Sequence, residues 1–97
     1  MFNLQKINEN KLWKNIRFIT GVISWENNHD HCDVIRKEDD DGNIVICFVY
    51  YEKGKIYNKV KYIIPRGTVK SIPNMTITEL TDVAMSLAKN PKVLKIE

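Results

Sequence analysis

The chain has little of what staples, breaks or anchors a fold: among 97 residues there are two Cys, three Pro and four Gly. Two cysteines, Cys32 and Cys47, give no disulfide framework in a chain able to build its own core, and the expectation is free thiols in a reducing compartment. The prolines fall near expected element ends. Ser/Gly linkers, low-complexity runs and internal repeats are absent, which argues against a hinge or a disordered tract. The longest mainly apolar stretch, Ile44 to Tyr51, has eight residues, well short of the roughly 20 that a membrane-crossing helix needs. The opening MFNLQKINENKLWK lacks the apolar run and small-residue cleavage site of a standard export signal. A soluble, cytoplasmic protein with no membrane partner is expected.

What the chain does have is charge sorted along its length. Residues 1–52 hold six Lys/Arg against nine Asp/Glu, and residues 53–97 hold nine against three, so a net charge of +3 hides an acidic and a basic part. The acidic stretch runs from Glu26 to Asp41 and the basic one from Lys53 to Lys70. They flank the strongest strand signal, so one folded sheet could carry opposite fields on separate surfaces.

Length and a 43% hydrophobic composition suit one domain over residues 1–97, with about two thirds of the chain's surface buried on folding. Arg17 to Trp25, rich in aromatic and β-branched residues, reads as a strand, and His31 to Lys37 as a shorter one. Asp39, Asp40, Asp41, Gly42 and Asn43 suit a tight turn. Ile44 to Tyr51 is apolar at every position, as in a central strand covered on both faces. Ile56 to Ile64 alternates and forms its hairpin partner, and Thr68 to Ile72 offers another short strand before Pro73. Thr76 and Glu79 make a capping box, with Met75 and Leu80 as a staple, so a helix is predicted over about 76–89, stopped by Asn90-Pro91. Val93 to Ile96 would return as an edge strand. Phe2 to Asn15 reads equally as a short amphipathic helix or an extended arm. The expected class is α+β: a mainly antiparallel, curved sheet of four to six strands with one C-terminal helix packed on it. Its second face then needs the N-terminal segment, closure into a partial barrel, or a partner.

Catalytic and metal signals are thin. His29-Asp30-His31-Cys32-Asp33 concentrates ligating types, and an extended segment would put His29, His31 and Asp33 on one face. A small nuclease or metal-dependent hydrolase could use His29 and His31, with Lys59, Lys61 or Arg66 stabilising phosphate. Yet CxxC and HExxH spacings are missing and no distant His completes a site. The reading is non-enzymatic, without cofactor or metal. Cys47 lies in the most apolar strand and reads as a buried small side chain.

Two binding readings remain. Lys53, Lys55, Tyr57, Lys59, Lys61, Arg66 and Lys70 interleave cations with an aromatic around one hairpin and could neutralise phosphates of a nucleic acid; equally, such lysines protect a sheet edge. Against that reading, the acidic stretch would repel the same polymer. Asp30, Asp33, Glu38, Asp39, Asp40 and Asp41 could steer a basic protein partner, such as a toxin or nuclease, with Trp25, Tyr50 and Tyr51 as anchors; the bland alternative is a solvated turn. The sequence favours this second reading, a neutralising inhibitor of the immunity-protein, antitoxin or anti-defence kind. An Asn/Lys/Ile-rich composition fits an AT-rich source such as a mobile element.

Overall fold

Leu12, Ile16, Ile19 and Ile23 recur every three or four positions, and the chain around them is helical: α1 runs Leu4–Glu26. The computed structural model describes the backbone of residues 4–95 and the side chains of residues 9–94. Ile16, Ile19 and Ile23 are wholly buried, and the Thr20 hydroxyl between them donates to the Ile16 carbonyl at 2.7 Å. The expected strand at Arg17 to Trp25 is therefore corrected. Its β-branched residues carry local strand propensity, but the buried positions keep the 3.6-residue period, and packing outweighs propensity. The segment Phe2 to Asn15 joins the same helix from Leu4 onward; its first two residues lie outside the described ones.

Asn28, at φ 53°, ends α1 in the left-handed conformation, and the His29 amide donates back to the Ser24 carbonyl at 2.9 Å. This is the 6→1 bond of a Schellman stop, a role that Asn fills when Gly is absent. Three strands follow: β1 (Asp33–Glu38), β2 (Ile44–Glu52) and β3 (Lys55–Ile64). The β1–β2 turn is the expected acidic one. Asp39 accepts from the amides of Asp41 and Asn43, both at 2.9 Å, while Gly42 sits at φ 83°. Between β2 and β3, Lys53 and Gly54 both have positive φ, as a two-residue type I′ hairpin requires.

Where a strand was expected at Thr68 to Ile72, the chain forms a short helix, α2 (Arg66–Ser71), and a 3₁₀ turn, Ile72–Asn74. Pro65 caps α2 in extended geometry. Val69 and Ile72, three apart, are the buried residues, a spacing that alternation cannot produce. Helix α3 (Ile77–Ala88) has the predicted capping box, Thr76 accepting from the Glu79 amide at 3.2 Å and Glu79 accepting from the Thr76 amide at 3.0 Å. The last strand, β4 (Lys92–Lys95), pairs with β3; Ile96 lies outside the described residues.

The class is α+β, and the described residues form a four-stranded antiparallel sheet in the order β1-β2-β3-β4 and three helices instead of the one expected. Among the described residues the sheet does not close: β1 and β4 are its two edges. Ile44, Ile46 and Phe48 of β2 and Val60, Tyr62 and Ile64 of β3 meet Ile16, Ile19 and Ile23 of α1 and Leu80 and Ala84 of α3 in one core. Both helices lie on this face. Asn15 donates to the Ile72 carbonyl and Asn27 to that of Ala88, each at 2.9 Å, so α1 and α3 run in the same direction. No helix among the described residues is long and apolar enough to cross a membrane.

Candidate functional site

The alternate residues of β2 and β3 face away from the helices. Antiparallel register arranges them in rows across the sheet: Asp33, Val49, Lys59 and Leu94; Ile35, Cys47, Lys61 and Lys92; Lys37, Val45 and Ile63. No described helix covers Val45, Cys47 and Val49, yet they are only 9%, 7% and 1% exposed. Lys59 and Lys61, paired with Val49 and Cys47, are half-buried, as long amphipathic side chains are when their stems cover apolar surface. Ile35, Lys37, Val45, Cys47, Lys59 and Lys61 line a shallow cleft of about 90 Å³.

Charge on this face is one-sided. Lys61 stands directly opposite Lys92, Lys59 is two residues along the same strand, and Lys37 faces them across the cleft. Like charges directly opposite on paired strands repel. The one acid in these rows is Asp33, beside Tyr51, where burial first and the Asp33 carboxylate second push the phenol's pKa up. Ile35, Tyr51 and Leu94, each close to half exposed, interleave with the cations.

The sequence-expected residues are dispersed. Glu38, Asp40 and Asp41 are exposed at the β1–β2 turn, while Asp30 and Asp33 lie at the other end of β1, a strand length of roughly 17 Å away. Asp39 is spent on the turn: both carboxylate oxygens accept bonds, and Asn43, chiefly through its side-chain bond, holds the carboxyl below the usual range. Trp25 stands on the outer side of α1, 80% exposed, whereas Tyr50 points into the helix side of the sheet and Tyr51 to the open side. Of the basic set, Lys59 and Lys61 share the open face. Lys53 and Lys55 sit at the β2–β3 tip, and Tyr57 at an irregular register step tilts against Tyr50. Arg66 is exposed where α2 begins, its amide donating to the Asn43 side chain at 2.9 Å. Lys70 is exposed on α2. Lys37 and Lys92 were not singled out from sequence, because only strand pairing brings Lys37 to the cleft and Lys92 opposite Lys61. A further cleft of about 640 Å³ between α3 and the β3–β4 side, lined by Ile63, Val83, Leu87 and Lys92 among others, contains none of the expected residues.

The His segment is not extended: His31 adopts φ 56° and stays exposed, and the strand starts only at Asp33. The expectation that His29, His31 and Asp33 share a face is corrected on that ground. Among the described residues no three His, Cys, Asp or Glu come together as a metal site. His29 turns inward and stacks on Phe48, centroids 4.1 Å apart at 19°. Its Nδ1 bonds the Tyr50 hydroxyl and its Nε2 the Tyr62 hydroxyl at 2.6 Å. Asn27 donates to the Tyr62 oxygen at 2.9 Å, which leaves the Tyr62 proton for Nε2; a neutral ring then carries its own proton on Nδ1 and donates to Tyr50. Burial lowers the His29 pKa, partly opposed by Asp30, and burial pushes Tyr50 up to about 12. Cys32 donates to the His29 carbonyl at 3.5 Å, and burial raises its thiol pKa. With both ring nitrogens engaged, this cluster fastens the end of α1 to the sheet.

The chain matches no family model, and neither curated proteins nor solved structures show significant similarity to it.

Proposed function

We propose that this protein is a binding module that covers an acidic surface of another protein with the open face of its sheet, in the manner of a neutralising inhibitor. The supporting observation is the Lys61–Lys92 juxtaposition, with Lys59 and Lys37 around it and Asp33 the one carboxylate in the same rows. Such an arrangement costs the isolated fold some stability, and a partner's carboxylates would relieve it. Exposed Ile35, Tyr51 and Leu94 between the cations supply the apolar contact that protein interfaces combine with a polar rim. The acidic residues favoured from sequence serve this reading less well, since they separate to the two ends of β1 and Asp39 is engaged in its own turn. Action in a reducing cytoplasm agrees with the free thiols of Cys32 and Cys47.

A nucleic acid would be drawn to the same lysines. The floor of the face is Val45, Cys47 and Val49, however, and offers bases no aromatic platform at its centre. The test places a photo-crosslinking residue at position 61 and, separately, at position 70 on α2, in cells of the natural source. A discrete acidic protein captured at 61 and not at 70 supports the reading, provided the purified partner loses at least about tenfold in affinity to the Lys59→Glu/Lys61→Glu variant. Crosslinks to RNA or DNA would move the assignment to nucleic acid. Equal capture at both positions would contradict a sheet-face site.

A further inference from the structure

On the opposite side of the molecule, the outer surface of α1 carries a second recognition pattern, independent of the sheet face. Arg17, Phe18, Gly21, Val22, Trp25 and Glu26 line, with Thr81 and Met85 of α3, an apolar groove of about 530 Å³ between the two helices. Phe18 is 36% exposed and Trp25 80%. Large apolar side chains left in water along one groove mark a surface that is covered in use.

The order of residues along α1 indicates what covers it. Arg17, Gly21 and Trp25 form one i, i+4 ridge and Phe18, Val22 and Glu26 the next, the surface elements of the commonest helix crossing, at about 50°. The pattern reads alike from both ends about the point between Gly21 and Val22: cation and aromatic on one side, aromatic and anion on the other. When two such helices cross antiparallel at that point, Arg17 of one copy comes level with Glu26 of the other, and Phe18 with Trp25. Arg17 and Glu26 cannot meet within one helix, since nine residues separate them by about 13 Å of rise. Gly21 stands at the crossing, with nothing within 4 Å of where a Cβ would be, so it leaves room for a second backbone to approach. A self-complementary patch of this kind suits a two-fold dimer interface.

We propose that the protein forms a two-fold homodimer through the outer face of α1, with Trp25 of each copy seated in the α1–α3 groove of the other and Arg17 paired with Glu26 across the axis. The occupant of the groove is a second copy of this chain, and both sheet faces remain free on the outside.

Light scattering coupled to size exclusion, or sedimentation, reads the result directly. The parent is expected at twice the 11.4 kDa chain mass, dissociating on dilution. Trp25→Ala and Gly21→Leu should each weaken the dimer at least about tenfold. Gly21→Leu removes a helix-weakening glycine at an open position, so its thermal unfolding midpoint, read at a concentration where the parent too is monomeric, should not fall. Charge swapping keeps the proposal falsifiable whatever those variants do: Arg17→Glu and Glu26→Arg should each weaken association, and the double variant Arg17→Glu/Glu26→Arg should restore it. A parent that stays monomeric at millimolar concentration, or a dimer whose affinity the swap leaves unchanged at every stage, would overturn the assignment.

Discussion

The imidazole of His29 lies nearly flat on the ring of Phe48, 4.1 Å between centroids and 19° from parallel, with a tyrosine hydroxyl bonded to each ring nitrogen. That contact joins the stop of α1 to the centre of the sheet. It explains how two histidines that resemble a catalytic pair in sequence part company in the fold: His29 packs, half-buried, against the core residue Phe48, and His31 stays in water.

His29→Ala should therefore cost stability, by about 2 kcal/mol for a lost ring contact and two hydroxyls left without their partner. His31→Ala should leave it unchanged within about 0.5 kcal/mol. Urea unfolding of the two variants side by side separates them, and equal effects would show that the His29 contacts add nothing.

The same residue gives stability a pH dependence of defined sign. Burial holds the folded His29 below its ordinary pKa of 6.5, so folding favours the neutral ring. Its contribution is complete above 6.5 and is lost as the pH falls from there toward the folded value, because the unfolded chain takes up the proton first. Asp39 and Glu79, both held low by bonds in the turn and the capping box, act in a separate window at lower pH. Urea midpoints at about pH 8 and about pH 5 should differ in the parent, and the part due to His29 should vanish in His29→Gln.

The acidic turn should divide into one structural residue and two passive ones. Asp39→Ala removes the acceptor of the Asp41 and Asn43 amides and should lower the thermal midpoint. Asp40→Lys and Asp41→Lys, exposed and without such bonds, should stay within about 0.5 kcal/mol. Thermal midpoints suffice, and a large loss from the Asp40 or Asp41 change would contradict this division.

Lys61→Glu should raise stability by a few tenths of a kcal/mol while weakening partner binding, because it replaces repulsion from Lys92 by attraction. Gains in stability that coincide with losses in function are the mark of residues kept for binding. Denaturant midpoints at low and high salt would show the gain, and its screening by salt.

The parts of the fold legible in sequence are those whose signals are local. The Asp39 to Asn43 turn, the Thr76–Glu79 capping box and the apolar run Ile44 to Tyr51 of β2 each sit within a dozen residues and carry their own chemistry. Helix α1 was not legible because Arg17 to Trp25 mixes β-branched and aromatic residues whose local propensity favours a strand. Only the longer series from Leu12 to Ile23 shows the helical period. The Thr68 to Ile72 segment is too short for either period to stand out. Of the basic face, Lys59 and Lys61 were visible by alternation, whereas Lys37 and Lys92 join them only through strand pairing. The His29 cluster draws on Asn27 from the turn after α1, Phe48 and Tyr50 from β2 and Tyr62 from β3, and no spacing in the sequence announces it.

The open sheet face is, as proposed, where this protein meets its partner. Amide chemical-shift mapping of the labelled protein, titrated with the partner captured through position 61, decides this. Shifts concentrated on the rows through Ile35, Cys47, Lys59, Lys61 and Lys92, and absent in Lys59→Glu/Lys61→Glu at the same concentration, are the expected result. Shifts centred instead on Glu38 to Asp41, or on the outer face of α1, with the rows of the sheet undisturbed, would contradict it.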